Sequence, residues 1–194
     1  GLTYRVGLTH LRALSVVLVL LFHAGVVESG YVGVDVFFVL SGYLVTGLLI
    51  QELTSTDRIV LRRFYARRVR RLLPMAILVL GVTAVVFAVL AAPVLVDDAA
   101  GGFRAAFLYV SNWYFIGQST DYFAGDIQAS PILHFWSLSV EEQFYLVWPL
   151  AFLALWAALR RTGAKRMRVA AAVTAVVGVA SLLAAHQLAQ TNLE

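Results

Sequence analysis

The sequence predicts an all-α protein: a polytopic transmembrane helix bundle with about five spans in 194 residues. Three observations predict it. Hydrophobic residues make up 61% of the chain and the mean hydropathy is +0.83, more apolar surface than a water-soluble domain of this size can cover. The apolar residues come in runs long enough to cross the roughly 30 Å hydrocarbon layer of a bilayer. Between the runs stand arginine clusters, which supply much of the net charge of +4. That placement fits basic loops retained in the cytoplasm better than nucleic-acid binding. There is no cysteine, which excludes disulfides, thiolate nucleophiles and Cys-ligated metals.

The first span covers about 11–27. No small-residue cleavage site follows it, so it reads as a retained helix rather than a signal peptide, and the missing initial Met makes the chain read as a fragment. A turn with Glu28, Ser29 and Gly30 leads to a second span, 32–50, interrupted only by Asp35 and by Ser41-Gly42. The connection 51–71 holds seven arginines and is expected in the cytoplasm, which puts the N-terminus there too and the 28–31 turn outside. A third span, 72–95, carries no charge, with Pro74 in its first turn.

Arg160, Arg161, Lys165, Arg166 and Arg168 form a second basic connection, so an odd number of crossings should separate residue 95 from residue 160. The short, aromatic 103–117 segment (Tyr109, Trp113, Tyr114, Phe115) therefore reads as interfacial or re-entrant. The alternative, a true crossing, would place five basic residues outside. Residues 118–130, with Asp121, Gly125 and Asp126, read as an extracytoplasmic loop. The stretch 132–159 returns inward with Glu141 and Glu142 in its outer half, and 169–188 runs outward again. All 194 residues form one membrane domain without repeats, low-complexity tracts or a soluble domain.

Charged groups inside apolar helices are costly in lipid and mark functional sites. Arg12 and His23 bracket a nearly unbroken apolar run. Eleven steps of about 100° bring both to one helix face, roughly 16 Å apart along the axis. Asp35, just past the short turn, should lie at the depth of His23, where a carboxylate can fix the tautomer and support the imidazolium of a general base. The other reading has His23 bound to a backbone carbonyl and Asp35 near the headgroups. Arg67 and Arg71 share a helical face beside Arg68, and paired guanidinium forks suit a phosphate or diphosphate. Anionic lipid headgroups are the alternative. Of Glu141 and Glu142, about 100° apart, at most one is expected to point squarely into a site. Ser41 reads as a small residue at a helix contact.

Four stretches together resemble the acyltransferase-3 family of integral membrane acyltransferases. They are Leu-Arg12 with His23, Gly33-Val-Asp-Val-Phe-Phe-Val-Leu-Ser-Gly42, Phe64-Tyr-Ala-Arg-Arg-Val-Arg-Arg-Leu-Leu-Pro74, and His134-Phe-Trp-Ser-Leu-Ser-Val-Glu-Glu-Gln-Phe-Tyr-Leu-Val-Trp-Pro149. The Ser-Asn-Trp-Tyr-Phe piece at 111–115 is similar to the branch that modifies bacterial surface polysaccharides. The resemblance implies transfer of an acyl group, usually acetyl, from cytoplasmic acyl-CoA to a hydroxyl of an extracytoplasmic glycan or lipid-linked sugar. It implies no permanently bound cofactor and no metal. By it, His23 is the catalytic histidine, Arg12 its motif partner, Arg68 and Arg71 the basic pair near the donor, and Glu141/Glu142 the acidic pair. Family members usually have about ten spans, and this branch often adds an extracytoplasmic SGNH-hydrolase domain. The chain thus reads as the N-terminal part of a multi-pass protein of the bacterial inner or plasma membrane, in contact with membrane lipids. A proton-coupled transporter or flippase, or an acyl shuttle feeding a separate transferase, would use similar buried charges.

Overall fold

The computed structural model describes residues 6–91, 93–117 and 130–191, and among these every regular element is helical. The expected loop at 118–130 therefore lies outside the described residues, except for Ser130. Three helices are long and apolar enough to cross a membrane by length and composition: Glu28–Thr56, Leu61–Leu90 and Arg166–Gln187; the shorter Gly7–His23 is also apolar. The described residues form two compact units, divided between Val147 and Trp148.

Helix α1 (Val6–His23) ends at a left-handed glycine: Gly25 has φ +68°. The Gly25 amide donates to the Phe22 carbonyl and the Val26 amide to the Leu21 carbonyl, the paired bonds of a Schellman cap. A 3-10 turn at Glu28–Tyr31 then reverses the chain into α2 (Val32–Thr56). The two helices touch where Gly33 meets Ser15. A Cβ on Gly33 would stand 2.5 Å from the Ser15 carbonyl oxygen and 2.9 Å from Val19 Cγ2, so the backbones approach as only glycine allows. Ser15 itself is buried, its hydroxyl turned back to the Leu11 carbonyl at 2.7 Å. Gly33→Leu is expected to force the pair apart and lower the melting temperature of the full-length protein in detergent. Overpacking of this kind costs about 1–3 kcal/mol, and an unchanged melting temperature would show slack at the contact.

Farther along α2 the buried residues Ser41, Val45, Leu49 and Leu53 recur every four positions, one face of the helix. The helix stops at Asp57, whose φ of +54° is left-handed and whose amide bonds the Leu53 carbonyl. Helix α3 (Leu61–Leu90) starts only four residues later. It reaches back over the basic connection, so Arg62 to Arg71 are helical and continuous with the apolar stretch that follows from 72. Arginine is a good helix former, and no glycine or proline interrupts 61–73. A charge-based reading of topology sees the cations but not the backbone that carries them. Pro74 consequently sits well inside α3 rather than in its first turn, where its missing N–H leaves the Arg70 carbonyl without its helical donor.

The expected 103–117 element is two helices. Helix α4 (Pro93–Phe107) opens with proline at a tolerated first position, and α5 (Ser111–Gly117) follows a break at Tyr109, whose φ is +55°. Leu80 of α3, Ala106 of α4 and Ile132 pack with Phe135 at the start of α6 (Phe135–Ala158), and Phe103 and Leu138 close over them. The 24 residues of α6 reach about 36 Å, but its first half is too polar to count as an apolar span.

In the second unit the end of α6 stacks Trp156 on Phe152, with the Arg166 guanidinium 3.8 Å from the Trp156 ring centroid. A 3-10 segment, Leu159–Lys165, connects to α7 (Arg166–Thr191).

Candidate active site

The polar first half of α6 is held from three directions. Ser139 is fully buried, and its hydroxyl lies 2.7 Å from that of Ser111 at the start of α5. Gln143 donates to the Tyr109 carbonyl and to Asn112 Oδ1, both at 2.8 Å, while its own carbonyl oxygen accepts from Trp113 Nε1 at 3.3 Å. Burial, and then the charge of Glu142, push the Tyr109 hydroxyl above its ordinary pKa. Toward α2, Glu141 accepts hydrogen bonds from the hydroxyls of Ser41 and Tyr145. Toward α3, Glu142 faces Arg68 with 3.6 Å between Oε1 and Nη2. The Arg68 guanidinium stands over the Tyr145 ring, its central carbon 3.0 Å from the ring centroid.

Arg12, Arg67, Arg68 and Arg71 line one cavity of about 710 Å³, with Glu141, Glu142 and Tyr145 on its wall. Three elements distant in sequence supply these groups: the first halves of α1, α3 and α6. The Nε atoms of Arg12 and Arg68 are buried without a hydrogen-bond partner among the described residues. At 3.6 Å the Arg68–Glu142 pair is an ion pair but too long for a hydrogen bond. Buried guanidinium donors left open in this way are expensive to keep, and an anionic oxygen is what completes them. Phe37 and Glu141 also line a second cavity, of about 210 Å³, walled by Val16, Val19 and Leu20 of α1.

His23 stands at the other end of α1, on an exposed position. Its Nδ1 lies 2.8 Å from the Val19 carbonyl. A carbonyl can only accept, so this bond places the proton on Nδ1 and the lone pair on Nε2. The ring of His134 meets it edge-on, with centroids 6.3 Å apart.

The chamber thus gathers six of the residues singled out from sequence: Arg12, Arg67, Arg68, Arg71, Glu141 and Glu142. Three expectations need correction. Asp35 does not pair with His23: its side chain is exposed, and the two share no hydrogen bond or ion pair among the described residues. Equal depth is not equal facing. Gly33 looks at α1, and Asp35, two residues on, is rotated about 200° away. Second, Glu141 and Glu142 lie level with the arginines rather than in the His23 half. Third, both carboxylates reach the chamber, because the Glu141 side chain meets Ser41 of α2 and the Glu142 side chain meets Arg68 of α3. Tyr145 was missed, although its place one turn after Glu141 puts it on the same face. Ser41 was read only as packing. Its carboxylate partner lies 100 residues away, and no local pattern announces it. No group of three or more His, Asp or Glu able to hold a metal occurs among the described residues.

Helices long and apolar enough to cross a membrane, together with a charged chamber in the first unit, define a membrane protein that carries a polar site. The family profile described as an acyltransferase domain matches residues 5–193, and the chain belongs to that acyltransferase-3 family. It is 43% identical over 145 residues to the peptidoglycan O-acetyltransferase OatA of Listeria monocytogenes, covering 74% of this chain and 23% of the relative. The O-acetyltransferase OatA of Staphylococcus aureus strain NCTC 8325 is 43% identical over 149 residues, or 76% of this chain and 24% of its own. The putative peptidoglycan O-acetyltransferase YrhL of Bacillus subtilis is 39% identical over 176 residues, or 90% and 27%. The chain thus spans about a quarter of the length of these curated relatives. No solved structure matches it.

Proposed function

We propose that this chain is the donor-binding and acyl-transferring part of a membrane O-acetyltransferase, which carries acetyl from cytoplasmic acyl-CoA to a hydroxyl of a cell-wall glycan outside. The observation that carries the reading is the chamber of four arginines, two of them (Arg12 and Arg68) with buried Nε donors left open, in the same compact unit as His23. Arg12, Arg67, Arg68 and Arg71 would take the phosphates of the donor, for which guanidinium forks are the matching partners. The family and the names of the relatives support acetyl as the group moved and glycan as its acceptor.

From the arginines to His23 the donor must span about 16 Å along α1. A long, flexible thioester arm suits that distance. His23, with its Nδ1 proton committed to the Val19 carbonyl, would use Nε2 to take the proton of the acceptor hydroxyl as the oxygen attacks the thioester carbonyl; the C–S bond then breaks and that proton passes to the departing thiolate. An acyl-histidine formed at the same nitrogen is the other route. Asp35, exposed near the His23 end of the α1–α2 hairpin, is placed to meet acceptor hydroxyls. In this reading the arginine-bearing end of α3 is cytoplasmic, as is the N-terminus, in the inner or plasma membrane. The remaining three-quarters of a relative-sized protein would supply further spans and any SGNH domain.

The test uses sealed vesicles carrying the full-length protein, with labelled acetyl-CoA on the arginine side only. Label is expected on glycan hydroxyls of the opposite side, and a reporter placed in the 57–60 turn should read cytoplasmic. Label that stays on the donor's side, or a reporter that reads outside, would reverse the assignment.

A further inference from the structure

We propose that Tyr145 is a positioning residue that couples Arg68 in the phosphate chamber to the Glu141 carboxylate at the boundary of the second cavity. The proposal rests on the reading of the chamber as the donor's phosphate site. Tyr145 is only 5% exposed and has two separate attachments. Its ring face carries the Arg68 guanidinium at 3.0 Å, and its hydroxyl donates to Glu141.

Arg68 Nε has no hydrogen-bond partner among the described residues, and the ion pair to Glu142 is 3.6 Å long, so the aromatic face holds the fork. Glu141, in turn, is steered by two hydroxyls on the same oxygen, those of Tyr145 and Ser41. Glu141 lines both cavities, and a carboxylate accepts on two oxygens, so it can take a further donor there. The smaller cavity runs beside Val19, whose carbonyl orients His23. A donor with phosphates on Arg68 would therefore lay its arm past Glu141, where an arm amide N–H finds that carboxylate. Tyr145 makes phosphate capture and arm placement one event: turn the ring and both partners move.

The two attachments separate by substitution. Tyr145→Phe keeps the ring and removes the hydroxyl; Tyr145→Leu removes both. In the full-length protein in nanodiscs, two readouts are needed: acetyl transfer resolved into kcat and KM for acetyl-CoA, and equilibrium binding of inorganic pyrophosphate. Tyr145→Phe is expected to bind pyrophosphate within about threefold of wild type while kcat falls about tenfold, the scale of one hydrogen bond to a charged group. Tyr145→Leu is expected to lose about tenfold in pyrophosphate affinity as well, the scale of a desolvated cation–π contact. Ser41→Ala, which leaves Arg68 alone, should lower kcat severalfold with pyrophosphate affinity unchanged, and it serves if Tyr145→Leu does not fold.

An unaltered kcat in Tyr145→Phe, or equal loss of pyrophosphate binding in Tyr145→Phe and Ser41→Ala, would overturn the coupling. So would a wild-type protein that does not bind pyrophosphate. Wild-type protein that binds pyrophosphate but never transfers label from acetyl-CoA would instead overturn the acyl-CoA reading, and the Tyr145→Leu binding loss would still uphold the ring's hold on Arg68.

Discussion

His23→Ala in the full-length protein is expected to reduce acetyl transfer by about a thousandfold, within the usual range for loss of a positioned acid–base group. The loss should fall on kcat, with KM for the donor nearly unchanged, because the phosphate chamber lies at the far end of α1. Membrane insertion should be normal, since alanine in a span costs little. The accompanying measurement is Asp35→Asn. A histidine that depends on a carboxylate for its tautomer loses about 10⁴-fold when that carboxylate becomes an amide. Here the Val19 carbonyl holds Nδ1 and Asp35 does not touch the ring, so Asp35→Asn should keep most of the rate. Full activity of His23→Ala would remove His23 from the chemistry. A collapse of Asp35→Asn to the level of His23→Ala would restore the dyad that the helix rotation argues against.

Arg68→Ala should weaken acetyl-CoA binding by roughly 1.5–3 kcal/mol, as for charge-assisted hydrogen bonds, seen as a ten- to hundredfold rise in the dissociation constant. It should also destabilise the protein, because the half-buried Glu142 is left without its ion pair, at less than the roughly 3–5 kcal/mol that breaking a fully buried pair costs. The two effects come apart in Arg68→Ala/Glu142→Gln. Thermal stability should recover while donor affinity stays low. Arg68→Lys should restore part of the affinity, a point charge lacking the planar fork that lies on Tyr145. Donor affinity unchanged in Arg68→Ala would leave the arginines as topology determinants alone.

What the sequence made legible follows the range of the interactions involved. The reversal after Glu28 and the start of α2 at Val32 are written locally in the small residues of the turn, whereas α1 ends at His23, short of the expected 27, because Gly25 takes the left-handed conformation that caps it. The shared face of Arg12 and His23, and that of Arg67 and Arg71, follow from helical period. Hydropathy gives the apolar stretch from 72, but not that the helix begins at Leu61, since arginine extends a helix well and leaves no break in the pattern. The Asp35–His23 pairing failed for a related reason: hairpin length sets depth, but the Gly33–Ser15 contact sets rotation. The links from Glu141 to Ser41 and from Glu142 to Arg68 cross 100 and 74 residues, and nothing in either segment alone chooses the other. The family resemblance put Arg68 and the glutamates on one reaction, yet gave no word on which helix faces they share.

The polar half of α6 also constrains how the protein can be made. A charged residue near the middle of a span costs about 2.5–3.5 kcal/mol when a translocon offers that span to lipid, so a segment bearing Glu141, Glu142 and Gln143 is poorly accepted alone. The groups that relieve the cost are Ser41, Arg68 and the Tyr109–Asn112 turn, and every one of them precedes α6 in the chain. They have left the ribosome before α6 emerges. The helix can enter against a wall already standing, and the vectorial order of synthesis is what makes so polar a segment insertable.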